Sequence, residues 1–307
     1  MTEVAARVGW FNRRGWRDII IAAPYAWLVA FFVIPFMIVI AMSFAKTATQ
    51  SPPFAFLPDW PYVRFDNYAR LFTNSLYIRS AGISLYNAAM ATVLCLLVGY
   101  PMALAITRVN KSLQRLLLML IILPFWTSFL LRVYAWIGLM GKNSWFNKLM
   151  TSLYNMFVPA SWEVAGIQMM NTNFAVVLVL VYSYLPFMIL PLYANLEKLD
   201  TTLNEAAMDL GSKPWQVFKD VTLPLSIPGI IAGGLLVFIP ACGELIIPSL
   251  VGNASDPMLG RVIQQEFGIN RDWPTASAVA VALLVLLVLP LMLFNYFEAK
   301  AQAGGDK

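Results

Sequence analysis

Six long apolar runs separated by shorter polar stretches dominate the 307-residue chain, at 19–44, 80–107, 116–140, 173–195, 226–250 and 276–297. A helix rises 1.5 Å per residue, so about 20 apolar residues suffice to cross a bilayer. The pattern predicts an all-α membrane protein with six transmembrane helices. They form one membrane domain over 19–297, between tails at 1–18 and 298–307. Arg13, Arg14 and Arg17 precede the first run in the layout of a signal peptide. Its length and the five runs behind it predict a retained anchor instead. Pro24, Pro35, Pro101, Pro124, Pro186, Pro191, Pro240 and Pro248 fall inside these runs. Such prolines predict kinked helices of the kind that line transport pathways.

Composition agrees with this class: 60% of residues are hydrophobic and 12% charged, against about 25% charged in soluble domains. The formal net charge of +5 is too small and too scattered to signal nucleic acid. Its placement says more. The tail before the first run, the 108–115 turn, the 196–225 loop and the C-terminal tail together hold 12 Lys and Arg, including Arg108, Lys111 and Arg115. The opposite, longer loops hold 8. Both termini are therefore expected on the cytoplasmic side. Trp145, Trp162 and Trp273 in the opposite loops read as headgroup anchors, and Trp10 and Trp16 beside the N-terminal arginines as an amphipathic stretch on the inner surface. The chain has no histidine, which rules out His-based zinc sites and Ser-His-Asp triads. Cys95 and Cys242 lie in apolar runs and read as small buried hydrophobes. No cofactor or metal is expected.

The loop between the fourth and fifth runs, Thr201 to Gly229, carries more structure than a connector needs. Thr202 and Glu205 have capping-box spacing, which predicts a short helix that Gly211 ends. Ser212 or Lys213 with Pro214 predicts a second helix carrying Trp215 and Phe218 toward Leu223 and Pro224. Pattern alone fits both a two-helix knob that receives a push from a soluble partner and an ordinary amphipathic turn on the membrane surface.

This segment resembles the EAA signature of the membrane subunits of bacterial ABC importers. Glu205, Ala206, Ala207, Gly211, Val221, Leu223 and Pro224 occupy its positions, with Val221 where Ile is commoner. The resemblance extends across nearly the whole chain and is closest to putrescine and spermidine permeases. It is clearest in LPFWTSFLLRVYAWIGL from Leu123, YSYLPFMILPLYANL from Tyr182 and VFIPACGELIIPSLVG from Val237. It implies the six-helix permease fold with a cytoplasmic coupling helix within 201–224, in a bacterial inner membrane. It also implies a homologous second permease, two copies of a cytoplasmic ATPase, a periplasmic substrate-binding protein and a small cationic substrate. Amino acids, opines, thiamine and phosphonates are alternative cargoes. In the family the coupling helix docks on the ATPase, which would put Glu205 against that subunit, let Ala206 and Ala207 pack closely, and make Gly211 set the bend.

Two ionisable residues fall inside apolar runs. On straight helices Arg132 lies about 24 Å beyond Leu116 and Glu244 about 26 Å beyond Ile227, at similar depth. Three readings stay open: a mutual ion pair, a substrate path through Glu244 with Arg132 repelling monovalent cations, or long side chains snorkelling to the interface. Trp126, Tyr134, Trp136, Tyr182 and Tyr184 could offer ring faces to an ammonium group or simply pack. Gly229 and Gly233 form a GxxxG pair permitting close helix approach, and Gly233 with Gly234 could flex. GKNS at 141–144 imitates the end of a phosphate loop but puts Asn143 where Ser or Thr belongs. If ATP drives transport, its hydrolysis therefore falls to another polypeptide. An ion-coupled secondary transporter is the rival from another class.

Overall fold

The computed structural model describes residues 13–49, 51–55, 65–159 and 164–304. Trp10, Pro58, Pro61 and Trp162 lie outside them. In chain order, α1 (Arg13–Leu28) passes through a π turn (Val29–Val33) into α2 (Ile34–Ser43), followed by β1 (Lys46–Thr47), β2 (Phe54–Ala55) and α3 (Asp66–Thr73). Next come α4 (Ser75–Thr107), α5 (Lys111–Ile122), a 3-10 turn (Leu123–Trp126), α6 (Phe129–Met140), α7 (Trp145–Phe157) and α8 (Asn173–Leu196). Then follow α9 (Thr201–Asp209), α10 (Pro214–Val217), a second π turn (Phe218–Thr222), α11 (Leu223–Cys242), α12 (Ile246–Val251), α13 (Leu259–Gln264), a third π turn (Gln265–Ile269) and α14 (Trp273–Gly304).

The fold is all-α and multi-span, but six clear crossings are not seen among the described residues. Among these, four helices are long and apolar enough to cross a membrane: Ile20–Ser43, Ser75–Thr107, Asn173–Leu196 and Pro214–Cys242. A fifth is reached if the bent pair Lys111–Trp126 and Phe129–Met140 counts as one span. The expected sixth run, 276–297, lies within the single helix α14, whose described apolar stretch is Trp273–Val288.

Two of the predicted spans are broken. The 116–140 run bends by 91° between α5 and α6. Pro124 opens the 3-10 turn, and Thr127 and Ser128 then take extended backbone, with ψ of 151° and 135°. The 226–250 run stops at Cys242, and Gly243, Glu244 and Leu245 separate α11 from α12. The straight-helix depth expected for Arg132 therefore does not apply, while Glu244 lies two residues past the end of the continuous α11. Elsewhere the chain absorbs proline by widening the turn before it. Pro35 and Pro224 each crowd the carbonyl four residues back. One residue upstream, Ile34 and Leu223 donate to carbonyls five residues back, at Val29 and Phe218.

The chain forms two compact units, one of described residues up to Thr73 with those from Gln265 onward, the other Asn74–Gln264. In the first, α14 packs on α2 and α3. Asn67 donates to the carbonyls of Ser43 (2.9 Å) and Ala45 (3.0 Å), satisfying groups at the end of α2 that lack intrahelical partners. Asp272 accepts from Thr47 (2.6 Å), Arg70 (3.1 Å) and Thr275.

The second unit is built on α4, α8 and α11, which pack on one another in all three pairings. Its core holds Cys95, Tyr100, Ala103 and Ile106 of α4, Met188, Ile189, Leu192 and Leu196 of α8, and Val237 of α11. The GxxxG pair acts as the spacing suggests. A Cβ on Gly229 would stand 2.7 Å from Asn195 Cβ, and one on Gly233 2.8 Å from Met188 Sδ, so only hydrogen lets α11 lie this close to α8. Gly234, expected as a flexible point, sits within the uninterrupted α11. Cys95 and Cys242 are buried free thiols. GKNS is the turn between α6 and α7, where Ser144 caps α7 by accepting from the Asn147 N–H at 3.0 Å.

Candidate functional site

The knob at 201–224 consists of two helices, but its first cap lies two residues before the expected one. Asp200, not Thr202, is the N-cap, and its carboxylate accepts from the Thr202 N–H at 2.9 Å. That bond holds the Asp200 carboxyl below its usual range. The C-terminal end matches the expectation: Gly211 has φ +85°. The Ser212 N–H reaches the Ala207 carbonyl (3.1 Å) and the Gly211 N–H that of Met208 (2.9 Å), the paired bonds of a Schellman motif. Lys213 then caps α10, its N–H bonded to Gln216 Oε1 at 2.8 Å, with Pro214 in the first turn.

Two links tie the knob to the membrane helices. Thr222 donates to Asn204 Oδ1 at 3.3 Å, joining the second π turn to α9. Phe218 stacks on Trp215 (5.4 Å) and meets Tyr100 of α4 edge-on (5.7 Å), while the Tyr100 and Ser226 hydroxyls share a 2.9 Å hydrogen bond. Glu205 and Ala206 are exposed and Ala207 is half-buried. Leu203, Met208, Leu210 and Trp215 expose apolar surface beside them. Leu223 packs against the core, and Pro224 is exposed in the first turn of α11. A second tie at this end joins α5 to the end of α8, where Lys111 donates to Glu197 at 2.6 Å and holds its carboxyl below the usual range.

Glu244 sits in the break after α11. Its carboxylate accepts from the Tyr184 hydroxyl (2.5 Å) and from the backbone N–H groups of Leu245 (3.1 Å) and Ile246 (3.0 Å). Three donors and, among the described residues, no cation gather round it, leaving acceptor capacity for a positive group. The break is clamped from α13: a Cβ on Gly260 would stand 2.6 Å from the carbonyl oxygens of Gly243 and Glu244. Two contacts fasten that clamp to α4, the Leu259 N–H to Ser84 Oγ (2.8 Å) and the ion pair of Arg79 with Asp256.

Of the residues expected on a substrate path, Tyr184 and Glu244 meet directly. Arg132 forms no ion pair with Glu244; its guanidinium carbon lies over the rings of Phe125 (5.2 Å) and Phe129 (5.5 Å). Tyr182 packs edge-on to Trp136 at 5.5 Å. Trp126 is 82% exposed and makes no ring contact among the described residues. Sequence reasoning missed Tyr100, Asn204 and Gly260, whose partners lie across the fold. It also missed Asp200, whose residue type is a ready cap signal.

Comparison with known proteins places this geometry. The family described as binding-protein-dependent transport system inner membrane component matches residues 95–302. The chain is 41% identical over 283 residues to the spermidine/putrescine transport system permease protein PotB of Haemophilus influenzae, covering 92% of this chain and 93% of that one. It is 38% identical to PotB of Escherichia coli strain K12 over 277 residues, covering 89% and 94%. Its fold resembles a chain of a crystallised bacterial ABC transporter involved in alginate import, with TM-score 0.64 and 17% identity over 94% of this chain and 99% of that one. The chain thus belongs to the inner-membrane permease components of binding-protein-dependent ABC importers, in which a separate ATPase, not the permease, hydrolyses ATP.

Proposed function

We propose that this permease moves a polyamine, putrescine or spermidine, across the inner membrane as one half of a two-permease core. The carrying observation is the 41% identity to a spermidine/putrescine permease over 92% of the chain. The Glu244 carboxylate, met among the described residues by donors and no cation, supports it, because an ammonium group would supply a positive partner. Glu244 and Tyr184 then line the path, with Tyr182, Trp126 and Arg132 near it.

In this reading the chain crosses the membrane six times, with α14 as the last span and both termini cytoplasmic. A periplasmic binding protein delivers the substrate, and the second permease is a homologue. Two ATPase copies close on ATP and press on the knobs of the two permeases. Glu205 and Ala206 face the ATPase, Ala207 and Gly211 shape the knob, and Leu223 and Pro224 pass the movement to α11. Binding energy counts only where it separates the inward-open from the outward-open state.

The test is uptake of labelled putrescine and spermidine into liposomes holding the complete importer, with ATP inside. Uptake that needs the ATPase and is competed by unlabelled diamines is the expected result. Competition by amino acids alone would overturn the substrate, and uptake indifferent to ATPase removal but abolished by ionophores would overturn the energy source.

A further inference from the structure

The bend in the third membrane segment assembles something that a straight helix could not. Phe125 and Arg132 are seven residues apart, about 10 Å along an unbroken helix. The turn at 123–128 instead brings the Arg132 guanidinium carbon to 5.2 Å from the Phe125 ring, while Phe129 covers it at 5.5 Å. Arg132 Nε is buried and has no hydrogen-bond partner, and among the described residues no carboxylate pairs with this side chain. Its charge is met by ring faces. Arginine suits such a place because guanidinium is weakly hydrated and stacks on aromatic planes.

The cage is also connected to the carboxylate. Phe125 packs edge-on to Phe187 (5.2 Å), Phe187 leans on Tyr184 (6.1 Å), and the Tyr184 hydroxyl donates to Glu244 (2.5 Å). One run of ring contacts thus joins a cation held on aromatic faces to an anion that meets no cation among the described residues. The two ends have the chemistry that a linear polyamine needs, an aromatic cage for one ammonium group and a carboxylate for another.

We infer that Arg132 is a resident cation, occupying the Phe125–Phe129 cage that an ammonium group of the substrate takes when a polyamine spans from there to Glu244. This rests on the polyamine reading above and adds a competitor built into the site. A polyamine must displace the guanidinium, whereas a monoamine satisfies Glu244 without entering the cage. Arg132 therefore weakens polyamine binding within the permease, which favours release, and keeps the cage filled between substrates.

The discriminating measurement is equilibrium binding to the permease–ATPase complex with the binding protein omitted, so that affinity reports the permease site. Labelled spermidine and n-butylamine are compared on wild type, Arg132→Gln, Arg132→Met and Arg132→Lys. Removing the competitor is expected to tighten spermidine binding by about 30-fold, the size of a desolvated cation–π contact, in the Gln and Met variants. Arg132→Lys, which keeps a charge, stays near wild type, and n-butylamine changes little throughout. Unchanged or weaker spermidine binding in the neutral variants overturns the inference. So does failure of both neutral variants to assemble while Arg132→Lys assembles, which makes Arg132 a structural staple. A wild-type complex that binds no polyamine fails the substrate reading itself.

Discussion

Asp272 shows what one carboxylate can organise at a helix start. It caps α14 by accepting from the Thr275 N–H at 3.1 Å, and its oxygens also take the Thr47 hydroxyl (2.6 Å), the Thr275 hydroxyl (2.8 Å) and Arg70 (3.1 Å). Partial burial alone would raise its pKa, but the Thr47 and Thr275 donors, with Arg70, outweigh burial and hold it below the usual range. A depressed folded pKa contributes stability that is present above the unfolded value, about 3.9, and is lost as pH falls through the folded value beneath it. Asp272→Asn is thus expected to lower the thermal midpoint of the detergent-purified protein at pH 7, with the gap to wild type closing below about pH 4. A gap of constant size from pH 7 to pH 3 would show that the charge is not the cause. The cap itself is legible in the sequence, since Asp followed by Trp-Pro-Thr is a recognisable helix start. Its partners Thr47 and Arg70 are not, because they lie 225 and 202 positions away.

At the scale of elements, the apolar runs locate the helices well and their interruptions poorly. Proline is the reason. Pro186 and Pro191 sit inside the unbroken α8, while Pro124 opens a turn that ends in a 91° bend. What separates the cases is the pair of extended residues Thr127 and Ser128, whose residue types also occur inside helices and so do not mark the bend by themselves. The break at Glu244 had a clearer cue in Gly243, but hydropathy runs straight across it. The GxxxG spacing of Gly229 and Gly233, by contrast, is legible as a close approach, and it gives a sharp prediction. A Cβ on Gly233 meets the Met188 carbonyl oxygen at 3.0 Å and its Cα at 3.3 Å, backbone atoms that cannot rotate away. Gly233→Ala should therefore cost about 1–3 kcal/mol, read as a lower thermal midpoint and less assembled complex. Gly234→Ala is the matched control, because its Cβ meets only Thr92 Cγ2 at 3.8 Å and gains helix propensity. Equal losses from the two would mean that the α8–α11 approach does not set the packing.

For the molecule as a whole, the question is how an event at an exposed loop reaches a carboxylate in a helix break. The knob was legible because its signature is local: Glu205 to Pro224 spans a few turns of chain. The site was only half legible, because Tyr184 reaches Glu244 across 60 positions and Gly260 supports the break from α13. The physical connection runs through α11. It begins at the π turn held to Asn204 of α9, carries Ser226 against Tyr100, lies tight on α8 through Gly229 and Gly233, and ends one residue before Gly243 and Glu244. In the proposed reading, a continuous helix with the knob at one end and Glu244 just past the other would carry a displacement from the loop to the carboxylate. Coupling nevertheless requires that ATP binding favour one position of that helix, so a change confined to the docking face should break the transmission and leave the helix intact. Glu205 is exposed and makes no ion pair among the described residues, so reversing its charge alters the face that the proposed reading presents to the ATPase and little else. Glu205→Lys is therefore expected to reach the membrane in normal amount, with unchanged polyamine binding to the permease, while ATP-driven uptake falls by about 5- to 150-fold, the range that coupling free energies of about 1–3 kcal/mol span. Parallel assays of expression, binding and uptake separate the outcomes. Wild-type uptake from Glu205→Lys would remove this face from the mechanism, and a matching loss of polyamine binding would mean that the knob shapes the site itself.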